Sequence, residues 1–215
     1  MSIGRISFRK AMFLLVISTT IGVLAWSMWS QAGHVEAQST ITVNKTGDTA
    51  DEVCDGDCSI REAIFTASSG DTIVIPAGTY TLALGEIIIA KDLTLTGAGV
   101  GTTIIQAATE SSAATSRVLR IRDSAVTIDS VTIRYGRTGS GAGVLVEDGE
   151  LTLSNSSVSG NVTTSGNGGG ILADDSALTV ATTTITGNTA SGGSGGGIYF
   201  SNSGCNLLDQ LFPGK

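Results

Sequence analysis

The sequence has two prolines, 5% aromatic residues and 14% charged residues, and it carries one histidine in 215 positions. That histidine, His34, and both tryptophans, Trp26 and Trp29, precede Ala37. From Gln38 onward no Ser-His-Asp triad or histidine metal site can be assembled, and no indole is present to stack on a sugar ring. Basic charge is also scarce: the part beyond Ala37 holds nine Lys and Arg against eighteen Asp and Glu. A net charge of this sign disfavours nucleic acid and anionic lipid as partners. The 29 glycines have no every-third-residue period, and 41% of the residues are hydrophobic. A collagen-like chain and a disordered chain are both excluded, leaving one sizeable domain.

What the chain does have is one unit written three times. GAGV at 141–144 returns as GGGI at 168–171 and again at 195–198, a period of 27. LTL at 151–153 answers LTV at 178–180, and VSGN at 158–161 answers ITGN at 185–188. A fixed period of this size marks a solenoid, in which each unit buries its apolar face only against its neighbours. The apolar residues come in short alternating runs, Leu151, Leu153 and Val158, then Leu178, Val180 and Ile185. That pattern reads as strand, turn, strand, and three strands with three turns fill one coil of a parallel β-helix. Upstream coils begin at Ile73–Ile75, continue through Ile87–Ile89 and Leu93–Leu95, and then through Val118 to Ile133. Asn161 and Asn188 hold equivalent places, so their amides can form a hydrogen-bonded ladder.

Residues 1–37 have the form of a secretory leader. Arg5, Arg9 and Lys10 precede an apolar stretch from Ala11 to Trp29, and Val35-Glu36-Ala37 offers a small-residue exit. Cleavage after Ala37 is the expectation, with Ala32 as a second site and an uncleaved membrane anchor as the rival reading. On either reading the remainder is exported, and it meets a membrane only through this segment. Residues 38–70 are expected to form an N-terminal cap, 71–200 the coils, and 201–215 an irregular tail.

In the cap, Ser59 and Glu62 have the spacing of a capping box, each side chain reaching the other's backbone N–H. Ile60, Ala63, Ile64 and Ala67 then line one helical face, and Gly70 is placed to close the helix in a left-handed conformation. This helix is expected to cover the first coil, whose outer strand edge would otherwise be unpaired. Cys54 and Cys58 are close in an exported chain, which points to a disulfide; half of a zinc site is the alternative. Cys205 has no partner. Asp48, Asp51, Asp55 and Asp57 crowd the preceding loop, as an acidic solvent loop or as carboxylates for calcium, though without EF-hand spacing.

The string CSIREAI at 58–64, with Cys54 before it and GDTIVIPAGTYTL at 70–82 after it, resembles the CSLREA domain. Ile60 stands where that domain usually has leucine. LTLTGAGVGTTII at 93–105 and the GGGI units are similar to polymorphic outer-membrane-protein repeats and pectin-lyase-like helices. The resemblance spans residues 41–200. It implies an exported, bacterial, all-β protein: a right-handed single-stranded parallel β-helix with a short N-terminal capping helix, secreted or held at the cell surface or outer envelope. It supplies no catalytic residue and no cofactor, with calcium as the one candidate.

Pectin-lyase-like relatives that cleave acidic polysaccharides commonly use calcium held by carboxylates, and an arginine or lysine as base. Here Arg120 and Arg122 alternate with Leu119 and Ile121 and should face solvent, with Asp123 beside them and Asp129 and Arg134 further along. Three functions follow. The first is a non-enzymatic module for adhesion or envelope contact, with surface glycans or envelope proteins as partners. The second is a lyase or hydrolase of acidic glycans working through Arg120, Arg122 or Asp129. The third is a truncated fragment, suggested by the change of text after GGGIYF; the alternative for that tail is a short cap built on Leu207, Leu208, Leu211 and Phe212.

Overall fold

The computed structural model describes residues 38–201. The leader with Trp26, Trp29 and His34, the tail with its leucines, and Cys205 lie outside the described residues.

The chain opens with β1 (Thr40–Thr42), crosses a loop, and enters the helix α1 (Ile60–Thr66). Five turns of a solenoid follow. The first holds β2 (Thr72–Ile75), β3 (Gly78–Thr81) and β4 (Ile87–Ile89). The second holds β5 (Leu93–Gly97), β6 (Thr103–Gln106) and β7 (Leu119–Arg122). The third gains a fourth strand: β8 (Ala125–Asp129), β9 (Thr132–Arg134), β10 (Arg137–Thr138) and β11 (Val144–Glu147). The fourth repeats this with β12 (Glu150–Ser154), β13 (Ser157–Ser159), β14 (Val162–Thr163) and β15 (Ile171–Asp174). The fifth holds β16 (Ala177–Ala181), β17 (Thr184–Thr186), β18 (Thr189–Ala190) and β19 (Ile198–Ser201).

Strands stack by turn into parallel sheets. Sheet one runs β1-β2-β5-β8-β12-β16, sheet two β3-β6-β9-β13-β17, and sheet three β4-β7-β11-β15-β19. The architecture is a right-handed parallel β-helix with one short helix. The expected three strands per coil are present; the fourth, in the short sheet β10-β14-β18, was not anticipated. Two-residue strands in polar, glycine-rich text carry no alternation by which to recognise them.

Inward positions fill the core with branched residues. Ile73, Leu95, Ile128, Leu153 and Val180 stack from turn to turn on sheet one, and Ile89, Ile121, Val146 and Ala173 on sheet three. All of these are buried, each large one contributing about 1.5–3 kcal/mol by leaving water. Corners are turned by left-handed residues at repeated places. Asp123, Asp148 and Asp175 have φ of 49°, 51° and 45°, a region that Asp and Asn tolerate better than most residues. Their amides continue the stack, Asp123 N–H to Glu147 O at 3.1 Å and Asp148 N–H to Asp174 O at 3.2 Å.

The asparagine ladder is formed. The Asn161 amide nitrogen donates to Asn188 Oδ1 at 2.9 Å, and the Gly136 N–H donates to Asn161 Oδ1 at 2.8 Å. Asn161 is fully buried. Gly143 is tied to this ladder, since a Cβ there would sit 2.9 Å from Asn161 Nδ2 and would collide with the Gly170 carbonyl. The glycine of one corner and the asparagine of the next are therefore one packing unit.

The helix departs from expectation at its end. It stops at Thr66, with Ala67 in an extended conformation (ψ 145°) whose N–H still reaches Ala63 O at 3.0 Å. Gly70, at φ 93°, serves the turn into β2 instead, donating to Asp92 O at 2.6 Å. Ser68 and Ser69 intervene, so the left-handed residue falls too late to close the helix.

Replacing Asn161 by Ala should leave the buried Gly136 N–H without its acceptor and cost about 1–3 kcal/mol. Asn188→Ala, at a half-buried rung, should cost less. Urea titrations of both variants check the order, and equal losses would show that the ladder is not what Asn161 stabilises.

Candidate functional site

The cap is held to the first turn by side chains the sequence places in an acidic loop. Asp48 does not face solvent: its side chain is 3% exposed and accepts from Arg61 Nε at 2.9 Å, Arg61 Nη2 at 3.0 Å and the Leu84 N–H at 2.8 Å. Arg61 also donates to the carbonyls of Gly85 and Glu86 at 2.8 and 3.0 Å. The guanidinium thus joins the loop, the helix and the turn before β4. The other loop acids are occupied separately. Asp57 pairs with Lys45 at 2.7 Å, and Asp51 and Asp55 accept from Val53 N–H and Asp57 N–H in local turns. Among the described residues no group of three His, Cys, Asp or Glu is placed to hold a metal ion.

Ser59 and Glu62 make the reciprocal bonds of a capping box. The Ser59 N–H donates to Glu62 Oε2 at 2.8 Å, and the Glu62 N–H donates to Ser59 Oγ at 3.2 Å. Both residues are buried. Burial alone would raise the Glu62 carboxyl's pKa, but the donors at Ser59, Thr49 and Asp51 outweigh it and hold the group at about 2. Cys54 and Cys58 form a disulfide, with Cα atoms 4.4 Å apart, that fastens the loop to the start of α1.

The arginines come together only in part. Arg120 and Arg122 both lie on the outer face of sheet three, and they face Glu147 of the next turn. Arg120 binds it with two bonds, Nε to Oε2 at 2.6 Å and Nη2 to Oε1 at 3.1 Å, while Arg122 Nε lies 3.8 Å away. Glu86, from the turn below, pairs with Arg117 and lies 3.9 Å from Arg120. The result is a ladder of three arginines and two glutamates across three turns. Arg117 and Glu86 carry no signal in the sequence, because the segments bearing them belong to turns of irregular length.

The hydrogen bonds that Arg120 donates to the Glu147 carboxylate raise the Arg120 pKa above its ordinary value. Arg117, with a side chain only 14% exposed, is instead pushed down, chiefly by burial.

Asp129 and Arg134 are elsewhere. Asp129 sits on the outside of sheet one, accepting from Ser130 Oγ at 2.6 Å, Ser154 Oγ at 2.6 Å and Asn155 Nδ2 at 2.7 Å. Those donors hold its carboxyl below the usual range. Arg134 lies on sheet two, bonded to Gln106 Oε1 at 2.9 Å and stacked 4.7 Å from the centre of the Tyr135 ring. The expected patch is therefore split over three faces, because each corner turns the next strand onto a different sheet. Asp123 is a corner residue.

Beside the charged ladder, between α1 and β4, lies a groove of about 440 Å³. Phe65 and Ile88, 56% and 47% exposed, supply its apolar surface, with Glu86 and Arg61 on its wall. Higher up the same face, Leu145 and Leu172 occupy outward positions yet are buried. The glycine turns fold back over them; a Cβ on Gly141 would lie 3.0 Å from Leu145 Cβ and 3.2 Å from Leu172 Cβ. No helix among the described residues is long and apolar enough to cross a membrane.

A family model described as rhamnogalacturonase A/epimerase, pectate lyase-like, matches residues 40–121. The match runs from β1 into β7, and so contains the cap, the groove, Glu86, Arg117 and Arg120, but not Glu147. No curated protein sequence matches the chain.

Because the folded pKa of Glu62 lies below its ordinary value of 4.5, its contribution to stability is complete above that pH and is lost as pH falls through about 2. Glu62→Gln should lower stability at pH 7 by about 1 kcal/mol, the usual worth of a cap. Its midpoint should also fall less steeply than wild type between pH 4.5 and 2. Thermal melts across that range check both; parallel acid slopes would exclude Glu62 as the titrating group.

Proposed function

We propose that this is an exported bacterial β-helix module with a CSLREA-like cap, which displays an elongated surface for adhesion or envelope contact and performs no chemistry on its partner. The observation that carries this reading is the pairing of Arg120 with Glu147. A lyase base needs a lowered pKa, and a bidentate carboxylate moves this guanidinium the other way. Asp129, the other group of a candidate acid-base set, is bonded to three neighbours on a different sheet. Surface glycans or envelope proteins are the partners, and secretion or cell-surface attachment is the location. For glycans the supporting surface is the groove, where the exposed Phe65 ring offers an apolar platform and Arg61, Glu86 and Lys91 line the wall.

A second reading, a pectin-lyase-type enzyme acting on acidic glycans, is favoured by the family match and by Arg117. Burial pushes that guanidinium in the direction a base requires, and it lies within the matched residues.

The two readings separate in one experiment. The purified chain is incubated with a panel of acidic and neutral polysaccharides, and retention on the glycan and release of new chain ends are both measured. Retention without cleavage is expected, weakened about tenfold by Phe65→Ala and insensitive to Arg117→Lys. New ends whose appearance is abolished by Arg117→Lys, in a variant that still melts cooperatively, would replace the display reading with the enzyme.

A further inference from the structure

The two ends of the solenoid differ. At the N-terminal end β1 pairs with β2, and α1 packs on the core. At the other end β16, β17, β18 and β19 are each the last strand of their sheet among the described residues. The core is correspondingly less covered there. Ile185, Ile198 and Phe200 point inward but are only partly buried, whereas their counterparts one turn earlier, Val158, Ile171 and Ala173, are fully buried. A parallel sheet edge over a half-covered core calls for a cover.

The chain continues from β19, and the period of 27 carries its text onto that end. The register still holds at the last described residue: the Asp175 N–H donates to Ser201 O at 3.0 Å, as the Asp148 N–H does to Asp174 O. The fourth and fifth turns place left-handed residues at three equivalent corners, Asp148 and Asp175, Asn155 and Thr182, Gly160 and Gly187. One period further on stand Asn202, Asp209 and Gly214. These are the residue types that adopt that conformation most readily. The inward positions Leu178, Val180 and Ile185 are followed at the same spacing by Cys205, Leu207 and Phe212. Ser203 falls on Ser176, whose hydroxyl accepts from the Gly149 N–H at 3.1 Å.

We propose that this end is the docking surface for residues 202–214 of the same chain, which lie on it as the first two strands of a sixth turn. In that register Cys205 and Leu207 stack on Leu178 and Val180, Phe212 stacks on Ile185, and Asn202, Asp209 and Gly214 turn the corners. Leu208 and Leu211 face outward beside Ala181 and Thr184. Pro213 has no N–H to donate, so the second strand ends at Phe212. The competing cover is a helix over 206–212, with Leu207, Leu208, Leu211 and Phe212 on one face. It gives no part to Asn202 or Gly214, and seven residues are too few for a helix that is not strongly packed. The sixth turn also disposes of Cys205, the one cysteine outside the Cys54–Cys58 bond. Facing the core, its thiol behaves as a small apolar group and is withheld from oxidation.

The test uses the full chain, purified without reductant so that Cys54 and Cys58 stay joined and Cys205 is the single free thiol. Its alkylation by a maleimide is timed in buffer and in concentrated guanidinium. The native reaction is expected to be about a hundredfold slower, because the thiol is reached only when the last turn opens. Leu207→Asp and Phe212→Asp should restore fast reaction, while Leu208→Asp and Leu211→Asp should leave the protection in place. Asn202→Val, a β-branched residue at a left-handed corner, should raise the native rate about tenfold, and Asn202→Gly should not. Phe65→Ala in the groove should leave the rate unchanged, which keeps this inference separate from the glycan reading. Circular dichroism melts establish that the earlier turns of each variant are folded. A native rate close to the denatured one, a dimer linked through Cys205, or protection that survives Leu207→Asp and Phe212→Asp overturns the proposal. Protection lost as fully in Leu208→Asp or Leu211→Asp as in Phe212→Asp overturns it in favour of the helical cover.

Discussion

The controlling constraint in this molecule is the in-register hydrogen bonding of each turn to the turn beneath it. A strand here has no hairpin partner; its amides and carbonyls are satisfied only if the chain returns, one turn later, to the same place. Everything else answers to that demand. Inward residues stack on like residues, corner amides continue the ladder through left-handed Asp123 and Asp148, and Asn161 and Asn188 carry it across the glycine turns. At the N-terminal end, β1 supplies the missing pairs to β2 and α1 lies over the first turn.

The same constraint explains what could be read from the sequence. Where the turn length is constant, at 27 residues from Val144 to Ile171 to Ile198, stacked partners are found by subtraction. The fold, the asparagine ladder and the strands β11 to β13 and β15 to β17 were legible for that reason. Ser59 and Glu62 were legible for another: a capping box is local, its partners three residues apart. Arg117 and Glu86 meet across turns of unequal length, with no period to relate them, and so their pairing was hidden. Asp48 misled because four nearby acids look alike in one dimension, while only this one has Arg61 and the Leu84 amide within reach.

Outward side chains show how one scaffold carries several chemistries at once. Three sheets point in three directions, so a residue's neighbours on its face are those a turn away and seldom those next in sequence. Arg122 and Asp129 are separated by one corner and share no face, whereas Arg120 and Glu147 are far apart in sequence and bonded. Charges scattered along the chain become ordered rows, and a row is neutralised or left open according to what the next turn contributes. Function on such a scaffold is therefore written down the stack, one residue per turn.

The register also sets what each turn needs in order to close. Every strand of sheet one beyond β1 meets a partner 22 to 33 residues earlier in the chain, so closing each new turn costs nearly the same loop entropy as the last. A turn pairs as readily with the one after it as with the one before, so a stack of this kind can start at any adjacent pair; only the first turn is also offered partners from outside the coils, the strand and helix of the cap. The Asp48–Arg61 clamp and the Cys54–Cys58 bond thus hold in place the partner that the end turn has instead of a predecessor. A lesion there would bare the edge of β2, whereas one in a later turn would leave neighbours on both sides.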